Sequence, residues 1–388
     1  MRKFLLFITI LTLEFILTSC SQFNLDRTEI DKIFNTRVIG IDKIAEGKVR
    51  MTITTKSTSN NPQTGGASKK SEILVSEGET VFEAVRLLFT SSTKKPLYGH
   101  TEFIIIGEDT ARDGILPYLD FISRDNEFRY NAKIYIVKGD SAYNLINKLN
   151  TGEVFLADRL SVLEKNAGKL SISSEVSLSE AMYIFDKLNI STYLPYIELA
   201  ANGTQSNSMD INLNLKGYGI FKKDKLQDFL TSEQSRGINW VRKKIISGFI
   251  IVKAPDGKNI SMEIISDNTS IKPSIDQGIL KCDIKVDFTT NLTETMSKEK
   301  IFNNDELTKL QQQQEKQIKK EVEDIISYAQ EKNLDIFGIL SNFIMANPLM
   351  KNELRENWSE LFPAVQFNVQ VNSKINRSYF LREPTGSK

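Results

Sequence analysis

The first twenty residues of this chain limit what the rest of it can become. Two basic residues, Arg2 and Lys3, precede an apolar run at 4–17, and small residues follow it. This order is typical of a secretory signal peptide. A helix of about 14 residues is about 21 Å long, short of the ~30 Å hydrocarbon core of a bilayer. We therefore expect residues 1–19 to be a cleaved signal peptide and the remainder to fold outside the cytoplasm.

The end of the apolar run carries a second signal. Leu17-Thr18-Ser19-Cys20 resembles the bacterial lipobox. The resemblance implies that Cys20 becomes the first residue of the mature chain, as an N-palmitoyl, S-diacylglycerol cysteine. More than one acyl chain anchors a protein stably, at about 0.8 kcal/mol per buried CH₂. The alternative is an ordinary cleaved signal peptide with an incidental cysteine.

Composition excludes several kinds of site. Among 388 residues there are one histidine, His100, and two cysteines, Cys20 and Cys282. Zinc sites built from several Cys and His, c-type haem, iron–sulfur clusters and a disulfide framework are therefore excluded. The chain has 50 Lys and Arg against 49 Asp and Glu, whereas nucleic-acid binding needs a basic excess. We expect no metal, no cofactor and no nucleic-acid partner.

Strand and helix patterns alternate along the mature chain, which predicts an α+β or mixed α/β fold. The β-branched run at 101–107 predicts a buried strand. The pair Thr80 and Glu83 forms a capping box that opens a helix. Residues 110–123 predict a further helix, kinked or delimited by Pro117. An amphipathic pattern at 305–332 predicts a long domain helix, with a partner-binding coiled coil as the alternative.

Breaks in composition divide the mature chain into about three domains, each a mixed sheet with packed helices. The small polar residues at 202–208 indicate a linker, and a polar stretch at 268–278 marks a second break. The predicted units are an N-terminal mixed α/β domain at 20–201, a middle α+β domain at 209–272 and a C-terminal α+β domain at 276–388.

Catalytic motifs are absent from the sequence. It contains no phosphate-binding G-x-x-x-x-G-K-[ST], no H-E-x-x-H and no G-x-S-x-G. His100 lies two residues before Glu102, which suggests either an acid–base pair or, as the favoured interpretation, a hydrogen-bonding histidine at a turn. Cys282 lies in a strand-like alternation and is interpreted as a small buried hydrophobe, with a reactive thiol as the alternative. The chain is therefore predicted not to be an enzyme.

Charged residues alternate with aromatics at 119–129, which gives two interpretations. In the first, Arg124 and Arg129 pair with nearby carboxylates and close a helix end. In the second, Arg124, Glu127 and Arg129 belong to a surface on which a partner protein docks, because exposed polar loops with aromatics are common at interfaces. The sequence leaves both open.

Several blocks of residues resemble the Ger(x)C spore-germination lipoproteins, which include the GerAC-like C subunits of nutrient germinant receptors. These blocks are Cys20 with 26–30 (DRTEI), 38–42 (VIGID), 79–86 (ETVFEAVR), 98–102 (YGHTE), 111–139, 217–229, Trp240, 335–338 (DIFG) and 358–365 (WSELFPAV). The resemblance implies a germinant-receptor subunit without catalytic activity. It further implies attachment through Cys20 to the outer face of the spore inner membrane, beside polytopic A and B subunits.

The leading hypothesis is therefore a lipid-anchored, non-enzymatic subunit that acts in spore germination by receptor assembly or signalling. A second hypothesis is an extracytoplasmic solute-binding lipoprotein, for which Trp240 and Trp358 are the available tryptophans. A third is a cell-wall hydrolase that uses paired carboxylates, although no pair is marked by its sequence context.

Overall fold

The structure is a computed structural model that describes residues 32–45, 47–59, 68–150, 155–186, 191–200, 213–301 and 303–376. The strands are β1 (Ile33–Asn35), β2 (Val38–Ala45), β3 (Lys48–Ser59), β4 (Ser68–Gly78), β5 (Lys95–Leu97), β6 (Phe103–Ile106), β7 (Lys133–Val137), β8 (Thr192–Leu199), β9 (Leu213–Lys222), β10 (Lys225–Phe229), β11 (Gly248–Lys253), β12 (Asn259–Asp276), β13 (Ile279–Thr295) and β14 (Gln366–Asn376). The helices are α1 (Val81–Ser91), α2 (Glu108–Asp113), α3 (Leu116–Arg124), α4 (Ala142–Leu149), α5 (Leu156–Leu170), α6 (Leu178–Phe185), α7 (Ser232–Val241), α8 (Asn304–Lys332), α9 (Ile339–Ala346), α10 (Lys351–Glu356) and α11 (Trp358–Leu361).

An eight-stranded sheet forms the first half of the molecule, in the order β10-β9-β8-β7-β6-β2-β3-β4. Strands β2, β6, β7 and β8 are parallel, and antiparallel hairpin strands extend the sheet at both ends. All four residues of β6 are buried, as the apolar run at 101–107 predicted. Parallel strands need cover on both faces, which explains why this strand is apolar throughout.

Helices cover both faces of this sheet. On one face, α4 and α5 bury their apolar stripes against β2, β6 and β7. On the other face lie α1, α3 and α6. Helix α1 begins as predicted, because the Thr80 side chain accepts a hydrogen bond from the Glu83 amide at 3.1 Å. The Glu83 carboxylate accepts from the amide of Glu79 at 2.7 Å and not from the Thr80 amide, so only the Thr80 half of the predicted capping box is formed.

A four-stranded sheet, in the order β11-β12-β13-β14, forms the second half. Strands β12 and β13 make one long antiparallel hairpin whose register continues to Asp276 opposite Ile279. Its turn residues Gln277 and Gly278 both have positive φ, at 50° and 82°, which is the conformation of a tight hairpin turn. Strand β14 adds to β13 in parallel. Strands β1 and β5 make a separate two-stranded parallel sheet.

Helices α7 and α8 join the two halves. Helix α8 is the long amphipathic helix predicted at 305–332, and the residues it buries include Ile318, Val322 and Ile325. Arg236 of α7 donates from Nε to a Glu321 oxygen of α8 at 2.9 Å and from Nη2 to the other oxygen. Both side chains are nearly buried. Trp240 of α7 packs against Phe288 of β13, with ring centroids 5.4 Å apart, so one apolar core continues from the first half into the second.

The mixed α+β fold predicted from the sequence is confirmed, with three sheets and packed helices. The single helix predicted at 110–123 is wrong, because it forms two helices, α2 and α3. The break falls at Gly114, whose φ is +125°, and Pro117 lies in the first turn of α3, where a proline is tolerated. The linker predicted at 202–208 lies outside the described residues.

Strand pairing crosses both internal boundaries of the predicted three-domain division. Strand β9 follows the first boundary in the chain, yet it pairs with β8 and completes the eight-stranded sheet. The second boundary, between 272 and 276, lies within the β12–β13 hairpin. A division of the chain into about three domains stays a prediction.

Candidate functional site

The predicted lipid-attachment residue, Cys20, lies outside the described residues, as does the whole of 1–31. Among the residues that the structure describes, no helix is both long and apolar enough to cross a bilayer. Anchoring through Cys20 therefore stays a prediction from the sequence.

The predicted docking residues Arg124, Glu127 and Arg129 lie at the end of α3 and in the turn after it, and all three are exposed. Arg124 Nε lies 2.9 Å from both carboxylate oxygens of Asp120, one turn earlier. Within the described part of the chain, Glu127 and Arg129 have no ion-pair partner. The salt-bridged interpretation of this segment is therefore realised by the Arg124–Asp120 pair, and the two remaining charges point to solvent.

A row of aromatic rings lies under this turn and leads to the surface. Tyr98, which is buried, stacks on Phe128 with ring centroids 4.5 Å apart. Phe128 packs edge-on against Phe121 at 5.8 Å. Phe121 in turn packs edge-on against Phe82 of α1 at 5.3 Å. Each such pair contributes about 0.5–1.5 kcal/mol beyond its area burial, so the row fixes the turn against α1 and α3.

Two aromatic side chains of this region are exposed. Phe82 is 47% exposed and Tyr130 is 50% exposed. Arg86 lies over the Phe82 ring, with its guanidinium carbon 5.0 Å from the centroid. The Tyr130 hydroxyl donates to the Ser123 carbonyl at 2.7 Å, which holds the ring beside Arg124. We call the surface made by Phe82, Arg124, Glu127, Arg129 and Tyr130 the aromatic–charged surface.

The chemistry of the aromatic–charged surface favours binding over catalysis. Exposed aromatic rings beside arginines are the composition enriched in protein–protein contacts. The Tyr98 hydroxyl is a buried titratable group below this surface, and burial raises its pKa above the usual range for tyrosine. A neutral phenol buried below the surface has no means of accepting a proton from a substrate there. Sequence reasoning identified the three charged residues and missed Phe82 and Tyr130, because their exposure depends on how α1 packs beside α3.

The single histidine is not part of an acid–base pair. His100 is exposed, and the Glu102 carboxylate accepts from Arg37 Nε at 2.8 Å and from Arg37 Nη2 at 3.0 Å. Arg37 also pairs with Asp158 of α5 at 2.8 Å. The favoured interpretation of His100, a hydrogen-bonding histidine, is not realised either, since its ring has no hydrogen bond to any described residue. Across the turn it occupies, the Thr101 amide donates to the Tyr98 carbonyl at 2.9 Å.

Cys282 is fully buried in β13. Burial, with smaller contributions from Asp283 and Asp335, raises the pKa of its thiol to about 12. A thiol of that pKa is neutral at physiological pH and is a poor nucleophile. The interpretation of Cys282 as a small buried hydrophobe is confirmed.

Trp240 and Trp358 are both buried, with about 1% or less of their surface exposed. They therefore belong to the core and do not line an open cleft. Within the described ranges, no group of three or more His, Cys, Asp or Glu side chains is placed to hold a metal ion.

Comparison with known proteins connects this fold to spore germination. A family described as "Spore germination protein N-terminal domain" matches residues 26–199, and one described as "Spore germination B3/ GerAC like, C-terminal" matches residues 216–379. The first match ends at the last residue of β8, and the second begins within β9.

Whole proteins resemble the chain over most of its length. YfkR of Bacillus subtilis (strain 168) is 27% identical over 351 residues, which cover 89% of this chain and 90% of that protein. Spore germination protein B3 of the same organism is 24% identical and covers 90% of this chain and 92% of its own length. The crystal structure of the GerBC protein superposes with a TM-score of 0.55 at 20% identity, covering 87% of this chain and 96% of that one.

Proposed function

The chain belongs to the GerAC-like spore germination family, and we propose that it is a lipid-anchored, non-enzymatic subunit of a spore nutrient germinant receptor. The observation that carries this proposal is the pair of family matches, at 26–199 and 216–379. The absence of a metal cluster, a reactive thiol and a histidine-based pair from the described residues supports a binding role for the body of the protein.

The proposed anchor is Cys20, acylated after removal of residues 1–19. More than one acyl chain on this residue gives stable attachment without a polybasic segment. The body would then lie on the outer face of the spore inner membrane. This attachment explains how a chain whose described helices are too short or too polar to span a bilayer stays at the membrane.

The anchor is tested by fractionation of two single-cysteine variants. Cys20→Ala is expected to leave the membrane fraction, whereas Cys282→Ala, which removes a buried thiol elsewhere, is expected to remain there. Mass spectrometry of the processed N-terminus should show diacylglycerol on Cys20. Detergent-dependent membrane retention of the Cys20→Ala protein would contradict the anchor.

The proposed contact with the polytopic A and B subunits is the aromatic–charged surface. Its exposed charges lie beside exposed rings, so a partner would bury the rings and pair the charges. The double variant Arg124→Glu, Arg129→Glu reverses two charges there. The matched control is Lys319→Glu, Lys320→Glu, which reverses two exposed charges on α8.

Co-purification from spore membranes distinguishes these variants. The Arg124 and Arg129 double variant is expected to lose most of the A and B subunits recovered with the tagged protein, while the α8 control keeps them. Equal recovery with both variants would move the contact to another surface and leave the family assignment intact.

A gene deletion tests the function as a whole. Spores that lack the protein are expected to stop responding to one nutrient germinant while still germinating with nutrient-independent triggers. An unchanged response to every nutrient germinant of the parent strain would overturn the proposed receptor role.

A further inference from the structure

A cavity of about 240 Å³ lies where the two halves of the molecule meet. One wall comes from α6 and the beginning of β8, and the other comes from the residue after α7 and from the segment at 336–342. The side chains of Tyr183, Ile184 and Ile336 are among those that line it, and they supply apolar surface. The volume is below the ~300–1,000 Å³ of drug-sized pockets, which limits an occupant to a small molecule.

The cavity contains an arginine without a counter-ion. Arg242, the C-cap residue directly after α7, is half-buried and lines the cavity. Its Nη1 donates to the Phe337 carbonyl at 2.8 Å, and no carboxylate within the described residues pairs with it. A guanidinium has five N–H donors in a planar fork that matches a carboxylate. Arg236, six residues earlier, has such a partner in Glu321.

The acidic residue of the cavity already has a cation of its own. Glu180 of α6 lies 3.3 Å from Lys244 Nζ, and Lys244 also lies over the Tyr193 ring at 5.7 Å. The charge of Glu180 is therefore balanced locally, and the charge of Arg242 is left over. An uncompensated, partly buried cation favours the binding of an anion.

Unused hydrogen-bonding groups occur at the same place. The hydroxyls of Thr192 and Tyr193 are buried, and neither has a hydrogen-bond partner among the described residues. Both residues belong to the cavity wall. Both hydroxyls are enclosed by protein and expose no surface to the cavity, so an occupant could hydrogen-bond to them only after a side-chain shift. Arg242 is therefore the group of the cavity that favours an anion.

We propose that this cavity binds a small carboxylate with a short apolar body, whose carboxylate pairs with Arg242 and whose apolar part contacts Tyr183, Ile184 and Ile336. The occupant would touch both halves of the molecule and add a link between α6 and the segment at 336–342. The inference is independent of how the chain is anchored and of which subunit it contacts.

Calorimetric titration of the full chain in detergent tests the proposal, with benzoate as the probe and benzamide as its uncharged isostere. Benzoate is expected to bind and benzamide to bind at least about tenfold more weakly, because a charge-assisted pair would be lost. Arg242→Gln keeps a polar side chain of medium length and removes the charge, and it should weaken benzoate binding by about tenfold or more.

A second variant separates loss of the site from loss of the fold. Ser341→Phe keeps Arg242 and fills the cavity from the segment at 336–342, so it should also abolish benzoate binding while the circular dichroism spectrum stays that of the wild type. The proposal is overturned if benzoate does not bind up to about 10 mM. It is equally overturned if the Arg242→Gln protein binds benzoate as the wild type does, or if benzamide binds as tightly as benzoate.

Discussion

At the scale of single residues, Asp335 organises the last part of the chain. Its buried carboxylate accepts from the amides of Ile339 at 2.8 Å and Leu340 at 2.9 Å, and from Trp358 Nε1 at 3.1 Å. It therefore caps the N-terminus of α9, which has no side-chain cap at Gly338. Burial raises the pKa of Asp335, and these hydrogen bonds act in the opposite sense. The block 335–338, which was quoted above for its resemblance to the spore-germination lipoproteins, therefore contains the residue that caps α9.

Replacing Asp335 with asparagine is expected to lower the free energy of unfolding by about 2 kcal/mol or more, because at least one of three donors loses its acceptor. Urea denaturation followed by tryptophan fluorescence measures the loss. The control is Asp324→Asn, which removes an exposed i,i+4 ion pair on α8 and should cost less than about 1 kcal/mol. Equal stability of the two variants would show that the cap contributes little.

Cys282 gives a prediction about reactivity. Because its thiol has a pKa of about 12, almost none of it is thiolate at pH 8, and the side chain is buried in β13. Ellman's reagent added to the folded mature chain at that pH is expected to release no colour until denaturant is added. Rapid reaction of the native protein would mean that β13 opens often or that the thiol is accessible.

At the scale of secondary-structure elements, the crossing of α7 and α8 depends on a glycine. A Cβ placed on Gly237 would lie 2.6 Å from the Glu321 carbonyl oxygen and 2.8 Å from Ile325 Cγ2. The first of these is backbone, which cannot move aside as a flexible side chain can. The close approach places Arg236 against Glu321 and Trp240 against Phe288.

Gly237→Ala is therefore expected to destabilise the protein by about 1–3 kcal/mol, although alanine is the better helix former. Gly168→Ala in α5 is the matched control, since its Cβ would meet Ile246 Cδ1 at an ordinary 3.6 Å. The control should be neutral or stabilising. Thermal unfolding of the two variants compares them, and a Gly237→Ala protein as stable as the control would contradict the close crossing.

The sequence predicts some of the helices and strands and misses others. The β-branched run at 101–107 predicts β6, and the amphipathic pattern at 305–332 predicts α8, because the apolar residues of each pattern are the ones that become buried. Helix α5 was not predicted, although Leu156, Leu160 and Ala167 share its buried stripe. Gln314 and Glu321 lie within the stripe of α8 and are buried, which no polarity pattern predicts, because their burial depends on Thr290 and Arg236 as partners.

At the scale of the whole molecule, the regions matched by the two spore-germination families share one sheet and one core. Strand β8 pairs with β9 from Thr192 opposite Phe221 to Leu199 opposite Leu213. The small polar residues at 202–208 predict a linker between domains, but they do not distinguish a domain boundary from a connection between two neighbouring antiparallel strands. The cavity beside Arg242 could not be predicted, because its lining residues are distant in sequence and tertiary packing brings them together.

A single cut between the two matched regions tests whether the shared sheet and core hold them together. A specific protease site inserted within 202–208 divides the chain between β8 and β9. After cleavage, the two fragments are expected to elute together in gel filtration and to separate only in denaturant, because the β8–β9 ladder and the buried hydrogen bond from Asn239 Nδ2 to the Ser171 carbonyl still cross the cut. The uncut protein with the same insertion is the control. Separation without denaturant would show that the regions are independent units.

The order of strands in the large sheet has a consequence for biosynthesis. A ribosome delivers the chain from its amino terminus, so β8 emerges before β9, the strand that completes its edge. At roughly 5–20 residues per second, this edge is unpaired for about one to a few seconds. An unpaired strand edge can pair with a strand of another chain and so start aggregation. The nascent chain therefore benefits from a chaperone, or from translocation that keeps it unfolded until β9 has been made.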